Sequence, residues 1–172
     1  MIVCPDCGHE NIPGVDACEK CQQPLSTLTA SPAESLSEQF IATDPIALLA
    51  PNRPIIVVPE TPVGEVLQTL IDRHVGCVLV GEGEQILGIF SERDALLRLN
   101  TQAAELRDEP IRRFMTPSPT MLAASDSIAF ALHRMDVGGF RHIPVTTDGA
   151  VTGMISVRDI LRYVAERLVT AR

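Results

Sequence analysis

Residues 88–94 read Gly-Ile-Phe-Ser-Glu-Arg-Asp and residues 153–159 read Gly-Met-Ile-Ser-Val-Arg-Asp, so one pattern occurs twice with an offset of 65 residues. The register extends towards the N-terminus without a gap, because Pro54 pairs with Pro119 at the same offset. A tandem repeat of this kind predicts two copies of one supersecondary unit. Both copies keep Gly, Ser, Arg and Asp while most other positions differ, which indicates a shared role for these residues.

The first copy is predicted to fold in the order strand, helix, strand, strand, helix. Residues 55–58 form an apolar run typical of a strand, and apolar residues at helical spacing from Val63 predict a helix. We expect Gly76 to end this helix as a C-cap. The remaining elements are strands at 77–80 and 86–90 and a helix from Ser91.

The second copy repeats this order. Its first helix has an apolar stripe expected to face the core, formed by Ile128, Ala131, Leu132 and Met135. The remaining elements are a glycine helix stop at 138–139, strands at 142–145 and 151–155, and a helix from Ser156. The predicted fold class is therefore α/β, with two β-α-β-β-α repeats.

Composition limits the class of protein. The chain has 172 residues, 45% hydrophobic and 3% aromatic, so we expect one aliphatic core built by both copies. The net charge of −8 disfavours binding to a nucleic-acid backbone, which needs a basic surface. The apolar runs are shorter than the ~20 residues of a membrane span. We expect no signal peptide, because the N-terminal residues do not include an apolar stretch. We therefore expect a cytoplasmic protein without nucleic-acid or membrane partners.

Four of the five cysteines follow the spacing C-x2-C-x10-C-x2-C near the N-terminus, at Cys4, Cys7, Cys18 and Cys21. Two residues between cysteines let one tight turn present both sulfurs to one ion, and two such turns complete a tetrahedron. The spacing predicts a structural zinc site with no open position for catalysis. Disulfide bonds, which need an oxidising compartment, and a four-cysteine iron site are the competing interpretations.

The chain divides into four predicted parts. Residues 1–25 resemble a zinc ribbon through Cys-Pro-Asp-Cys-Gly-His-Glu at 4–10. They are followed by a flexible linker at 26–40 rich in Ser, Thr, Ala and Pro, a first repeat at 41–105 and a second repeat at 106–172. Residues 1–38 carry one Lys against six acids. We therefore expect the ribbon to contact protein or to be purely structural, and not to bind nucleic acid.

Residues 44 to about 169 resemble a pair of CBS domains, the tandem arrangement called a Bateman module. The resemblance rests on the two Gly-x-x-Ser-x-Arg-Asp segments and on Gly-Phe-Arg-His-Ile-Pro-Val at 139–145. It implies that the two repeats pack through their sheets about a pseudo-twofold axis. It also implies a homodimer and a sensing, non-enzymatic protein whose clefts bind AMP, ADP, ATP or another adenosyl ligand.

The repeated motif has the chemistry to hold such a nucleotide. One carboxylate can accept both ribose hydroxyls, a helix N-terminus with a serine hydroxyl binds anions, and arginine donates to phosphate. The resemblance adds a basic pair at the start of a strand in repeat two as phosphate contacts. The candidate ligand residues are Ser91, Arg93, Asp94, Arg141, His142, Ser156, Arg158 and Asp159.

Two of these assignments have competing interpretations. Ser and Asp at this spacing also form a helix capping box. An Arg in the first turn opposes the helix dipole and is not needed for a cap, so we favour ligand contact, with the serine able to serve both purposes. His142 fits a hydrogen-bonded core histidine equally well.

The two clefts are expected to be unequal. Repeat two has Arg141 and His142 where the register places Gly76 and Cys77 in repeat one. The extra charge predicts tighter binding in the cleft that uses the Ser, Arg and Asp of the second motif.

The leading functional hypothesis is a regulatory module that senses adenine nucleotides and signals to an unidentified protein partner. The alternative is a protein-interaction or scaffold module with vestigial clefts. We expect no enzymatic activity, because the sequence has no evident nucleophile–base pair, open metal site or phosphate-binding loop of the Walker type.

Overall fold

The structure is a computed structural model, and it describes residues 2–4, 6–12, 15, 17–23, 25 and 36–170. At the N-terminus, β1 (Ile2–Val3) pairs antiparallel with β2 (Glu10–Asn11). This small hairpin belongs to the segment that contains the four clustered cysteines.

Helix α1 (Leu36–Thr43) begins inside the stretch predicted as a linker. The prediction of a flexible segment at 26–40 is therefore wrong for residues 36–40, and residues 26–35 lie outside the described residues. The helix forms because Ile41 packs against the core of repeat two and the Phe40 ring lies 5.0 Å from the Arg167 guanidinium.

Repeat one forms a mixed sheet. β3 (Ile56–Val57) runs parallel to β4 (Cys77–Glu82), which pairs antiparallel with β5 (Gln85–Ser91). Helix α2 (Val63–Asp72) connects β3 to β4, and α3 (Glu92–Asp94) follows β5 directly. The helix expected from Ser91 is present but irregular, because α3 continues as a π-helix at Ala95–Leu99 and a 3₁₀ helix at Asn100–Gln102.

Repeat two has the predicted element order. A short strand near its start, β6 (Thr116–Pro117), pairs with β5 at the edge of the first sheet. The elements of repeat two are β7 (Leu122–Ala123), α4 (Ile128–Gly138), β8 (His142–Thr147), β9 (Ala150–Ser156) and α5 (Val157–Thr170). Across the described ranges, no helix has the length and apolar composition needed to cross a membrane.

The first residues of each repeat pack on the other repeat. The 3₁₀ helix Ile46–Leu49 is part of the repeat-two core, and Ile111 at the start of the 3₁₀ helix Ile111–Arg113 is part of the repeat-one core. Asn52 pairs with Met154 of β9, as β6 pairs with β5. This exchange joins the repeats into one fold, so the predicted boundary between residues 105 and 106 does not separate two independent cores.

The repeated glycines of the two motifs serve this exchange. A Cβ atom at Gly153 would lie 2.4 Å from Cβ of Pro51, and one at Gly88 would lie 2.4 Å from Sδ of Met115. Real Cβ atoms essentially never approach other atoms so closely. Both glycines therefore have a packing role, because a segment from the other repeat crosses over each of them.

Two helix predictions need correction. Helix α2 ends at Asp72, and His74 takes the left-handed conformation (φ +52°), so Gly76 is not the C-cap. In α4 the predicted stop is confirmed, because Gly139 is the C-cap with φ +63°. Leu132, expected in the core stripe, is 40% exposed because it lies on the flank of α4.

Candidate functional site

The repeated Ser and Asp residues form a helix cap in both repeats. Asp94 Oδ2 accepts hydrogen bonds from the Ser91 N–H at 2.9 Å and from Ser91 Oγ at 2.6 Å. Asp159 Oδ2 accepts the same two bonds from Ser156 at 2.8 and 2.7 Å. The capping interpretation is therefore confirmed as local geometry, and any ligand would have to use groups that already cap a helix.

The second carboxylate oxygen distinguishes the two aspartates. Asp94 Oδ1 accepts a hydrogen bond from Thr116 Oγ1 at 3.2 Å and pairs with Arg98 Nε at 3.3 Å. Asp159 Oδ1 instead pairs with Arg162, an exposed residue of its own helix, at 3.3 Å. Asp94 is therefore held against the segment that enters repeat two, while Asp159 interacts only within its own repeat through the bonds described.

A cleft of about 490 Å³ opens between the repeats beside Asp94. It brings together seven of the eight predicted ligand residues: Ser91, Arg93, Asp94, Arg141, His142, Ser156 and Arg158. Asp159 is not among the lining residues and is only 8% exposed. Both motifs therefore contribute to one shared cleft, but only the first contributes its carboxylate.

The basic pair, which the sequence analysis placed in the cleft of the second motif, lies in a cleft that both motifs line. Arg141 and His142 line the same cleft as Asp94, because the packing of the repeats places the start of β8 against the start of β4. A Cβ atom at Gly76 would lie 2.6 Å from His142 Nε2. Gly76 is therefore small because the imidazole from the other repeat occupies that space.

Three hydroxyl residues of the cleft escaped the sequence analysis: Thr116, Ser118 and Thr120. They lie in the segment that crosses from one repeat to the other, next to β6. The sequence offers no chemical pattern there, and the only signal is the register of Pro119 with Pro54.

The cleft is cationic although the whole chain carries a net charge of −8. Its charged side chains are those of Arg93, Arg98, Arg141, Arg158, Glu92 and Asp94. Arg98 is paired with Asp94, and Arg93 donates to the Gly139 carbonyl at 2.8 Å across the repeats. Within the described ranges, Arg141 and Arg158 are exposed and their guanidinium groups make no hydrogen bond or ion pair, so these donors are available to an anion.

His142 adds little charge to this cleft at neutral pH. Burial lowers the pKa of its imidazole below the usual value, the nearby Glu92 carboxylate opposes this effect, and nearby Arg141 reinforces it. The imidazole is therefore mostly neutral at pH 7, and an anion beside it would raise its pKa.

The four N-terminal cysteines converge as predicted, and their sulfur atoms all lie within 4.8 Å of one another. The Sγ atoms of Cys4 and Cys21, and those of Cys7 and Cys18, are 3.6 Å apart. Metal–sulfur bonds of about 2.3 Å in a tetrahedron place sulfurs about 3.8 Å apart, so the arrangement fits a zinc ion. All four cysteines are free, so no disulfide joins them.

The backbone shapes two equivalent knuckles around these sulfurs. The Gly8 N–H donates to the Cys4 carbonyl at 2.9 Å, and the Gln22 N–H donates to the Cys18 carbonyl at 2.8 Å. Asn11, which the sequence analysis missed, joins the knuckles: its side-chain amide donates to Cys18 Sγ at 3.6 Å and its oxygen accepts from the Glu19 N–H at 3.0 Å. It is 2% exposed, so its position is fixed by packing.

The Cys18 and Cys21 thiols differ in how readily they ionise. Burial opposes ionisation of Cys18, but the backbone N–H groups of Cys21 and Lys20 lower the pKa of Cys18 to about 6. The Gln23 N–H favours the Cys21 thiolate, yet burial and the neighbouring sulfurs raise the pKa of Cys21 to about 12. A divalent ion would favour the thiolate at all four positions.

Comparison with known proteins agrees with this architecture. The family model described as the CBS domain matches residues 47–101 and 111–166. A CBS domain-containing protein of Arabidopsis thaliana is 28% identical over 129 residues, which are 74% of this chain and 23% of that protein. The chain spans less than a quarter of the length of the first curated relatives it matches.

Solved structures show the same fold. A CBS-domain-containing protein from Agrobacterium tumefaciens gives a TM-score of 0.64 at 27% identity, covering 69% of this chain and 94% of that one. A CBS domain protein from Pyrobaculum aerophilum, solved in complex with AMP, gives a TM-score of 0.60 at 25% identity, covering 71% of this chain and 98% of that one. With both repeats matched and the expected element order present in each, this chain belongs to the CBS-domain family.

Proposed function

We propose that this protein is a regulatory module that binds one adenine nucleotide per chain in the cleft between its CBS repeats. The observation that carries the proposal is the cluster of arginines from both repeats, three of them without ion pairs in the described ranges, in one cleft of an acidic chain. The AMP complex of the Pyrobaculum aerophilum protein supports an adenine nucleotide as the ligand.

Each group in the cleft has a role in this proposal. Asp94 Oδ1 accepts the ribose hydroxyls in exchange for its long contact with Thr116. Arg141 and Arg158 bind the phosphate, because guanidinium groups donate to phosphate in a two-pronged, charge-assisted manner. Ser91 and Ser156 keep their capping bonds, so we infer a binding site and not a site of nucleophilic catalysis.

We further propose that the N-terminal segment is a zinc ribbon that conveys the state of the cleft to a protein partner. Asp6, which lies between Cys4 and Cys7, forms an ion pair with Arg134 of α4. The C-cap of the same helix, Gly139, lines the cleft and accepts the hydrogen bond from Arg93. A phosphate that attracts Arg93 would weaken this bond at the end of α4.

The free thiols and the proposed nucleotide indicate where in the cell we expect the protein. Four free thiols and a nucleotide ligand fit the reducing cytoplasm. As in the family resemblance, we expect the regulatory unit to be a homodimer.

Calorimetric titration with AMP tests the proposed function. We expect one AMP per chain, a higher melting temperature with AMP because the ligand binds only the folded state, and altered hydrogen exchange in α4 and residues 6–12. Absence of binding by AMP, ADP, ATP and S-adenosylmethionine would favour the scaffold alternative with vestigial clefts. Two equal sites per chain would contradict the single shared cleft.

AMP affinity should rise as the pH falls from 8 to 6.5. Phosphate beside His142 favours the imidazolium, so binding takes up a proton and is stronger where protons are more abundant. Without ligand the sign is reversed: the lowered pKa of His142 means that unfolding takes up the proton, so its contribution to stability is lost as the pH falls below about 6.5.

Titrations at several pH values check this dependence. His142→Gln should flatten the pH profile of AMP affinity, whereas His74→Asn, at an exposed position outside the cleft, should leave it unchanged. An unaltered profile in His142→Gln would show that the imidazole does not face the phosphate.

A further inference from the structure

Glu92 is an acidic residue that projects into a cleft otherwise dominated by arginines. It is exposed, and its carboxylate makes no hydrogen bond or ion pair with any residue that the structure describes. The helix cap does not need it, because Asp94 is the acid of the capping box and the matching position in repeat two is Val157. The unpaired Glu92 carboxylate would therefore repel an anion bound in the cleft.

The carboxylate faces the part of the cleft where the basic residues converge. The position that a Cβ atom of Gly76 would occupy lies 2.6 Å from His142 Nε2 and 3.6 Å from Glu92 Oε2. The two side chains thus share one small space, and the Glu92 charge acts on the His142 imidazole. A phosphate bound by Arg141 and His142 would lie within a few ångströms of this carboxylate.

The charge of the cleft then sets which anion it can neutralise. Arg98 and Asp94 cancel each other as an ion pair. The other charged side chains of the cleft are three arginines and one acid: Arg93, Arg141, Arg158 and Glu92. With a neutral His142, the cleft therefore has a net charge of +2. A phosphate monoester carries a charge of about −2 at pH 7, and each further phosphate adds roughly one more negative charge.

We propose that Glu92 makes the cleft selective for a nucleoside monophosphate over the di- and triphosphate. The inference rests on the proposed function and names the ligand class within it. The charge of a monophosphate balances that of the cleft. A second or third phosphate adds negative charge that no remaining cation of the cleft neutralises and that the Glu92 carboxylate repels. Such repulsion at a distance of a few ångströms in a partly solvated cleft corresponds to roughly a tenfold change in affinity.

Titrations of AMP, ADP and ATP into the wild type, Glu92→Gln and Glu65→Gln test the proposal, in buffer without divalent metal ions at pH 7.5. Glu65→Gln is the matched control: it removes the same charge from an exposed, first-turn helix position outside the cleft. We expect the wild type to bind AMP at least about tenfold more tightly than ADP. Glu92→Gln should lower the ratio of the ADP to the AMP dissociation constant about tenfold, chiefly by tighter ADP and ATP binding. Glu65→Gln should leave this ratio unchanged.

The outcomes separate this inference from the proposed function. AMP binding with the same ADP-to-AMP ratio in the wild type and in Glu92→Gln would overturn the role of Glu92 and leave the nucleotide site intact. A ratio that changes equally in Glu65→Gln would also overturn it, because the effect would then come from net charge alone. No binding of any of the three nucleotides by the folded wild type would overturn both.

Discussion

Replacing Cys18 by Ser should abolish metal binding and unfold the N-terminal ribbon while both CBS repeats stay folded. Cys18 is buried, and its sulfur is one of four within 4.8 Å of one another. A segment this short has little core of its own, so a bound zinc ion would supply its folding free energy, on the order of 10–16 kcal/mol for structural zinc. Elemental analysis should find one zinc per wild-type chain and almost none in the variant.

Cys77→Ser is the matched control and should keep its zinc. Cys77 lies in β4 of repeat one, where burial, reinforced by the charges of Glu92 and Asp94, raises the pKa of its thiol to about 12. Chelation of the wild type should expose the ribbon backbone to hydrogen exchange without lowering the melting temperature of residues 36–170. Iron in place of zinc, or a metal-free wild type purified without chelator, would contradict the zinc assignment.

The element order could be predicted because periodicity and turn residues act locally. The predicted strands and helices with an apolar pattern are present in both repeats in the expected order, and Gly139 ends α4 as expected. Local patterns fail where another part of the chain determines the role of a residue. A glycine at position 76 is typical of a helix stop, but here a small residue is needed because His142 from the other repeat fills the adjacent space.

The composition of the site could be predicted better than its arrangement. The retained Ser, Arg and Asp identified five residues that the cleft brings together, and the family resemblance added Arg141 and His142. The sequence placed the basic pair only beside the motif of its own repeat, because nothing in it reveals that β8 also begins against the opposite motif. The cross-over at Thr116–Pro117 adds hydroxyls whose role depends on strand pairing between the repeats, which a local pattern does not encode.

Asp94→Ala should weaken AMP binding by about 1.5–3 kcal/mol, a factor of roughly 10 to 150, whereas Asp159→Ala should weaken it much less. The two variants form a matched pair, because both remove the acid of a Ser–Asp cap and should cost similar stability, about 1 kcal/mol. Only Asp94 lines the cleft, with Oδ1 directed to Thr116, and Asp159 is 8% exposed. Calorimetry with AMP, together with thermal unfolding of the ligand-free variants, separates affinity from stability. A larger loss of affinity in Asp159→Ala would move the ribose site to the second motif, and equal affinities in both variants and the wild type would leave the repeated aspartates with capping as their whole function.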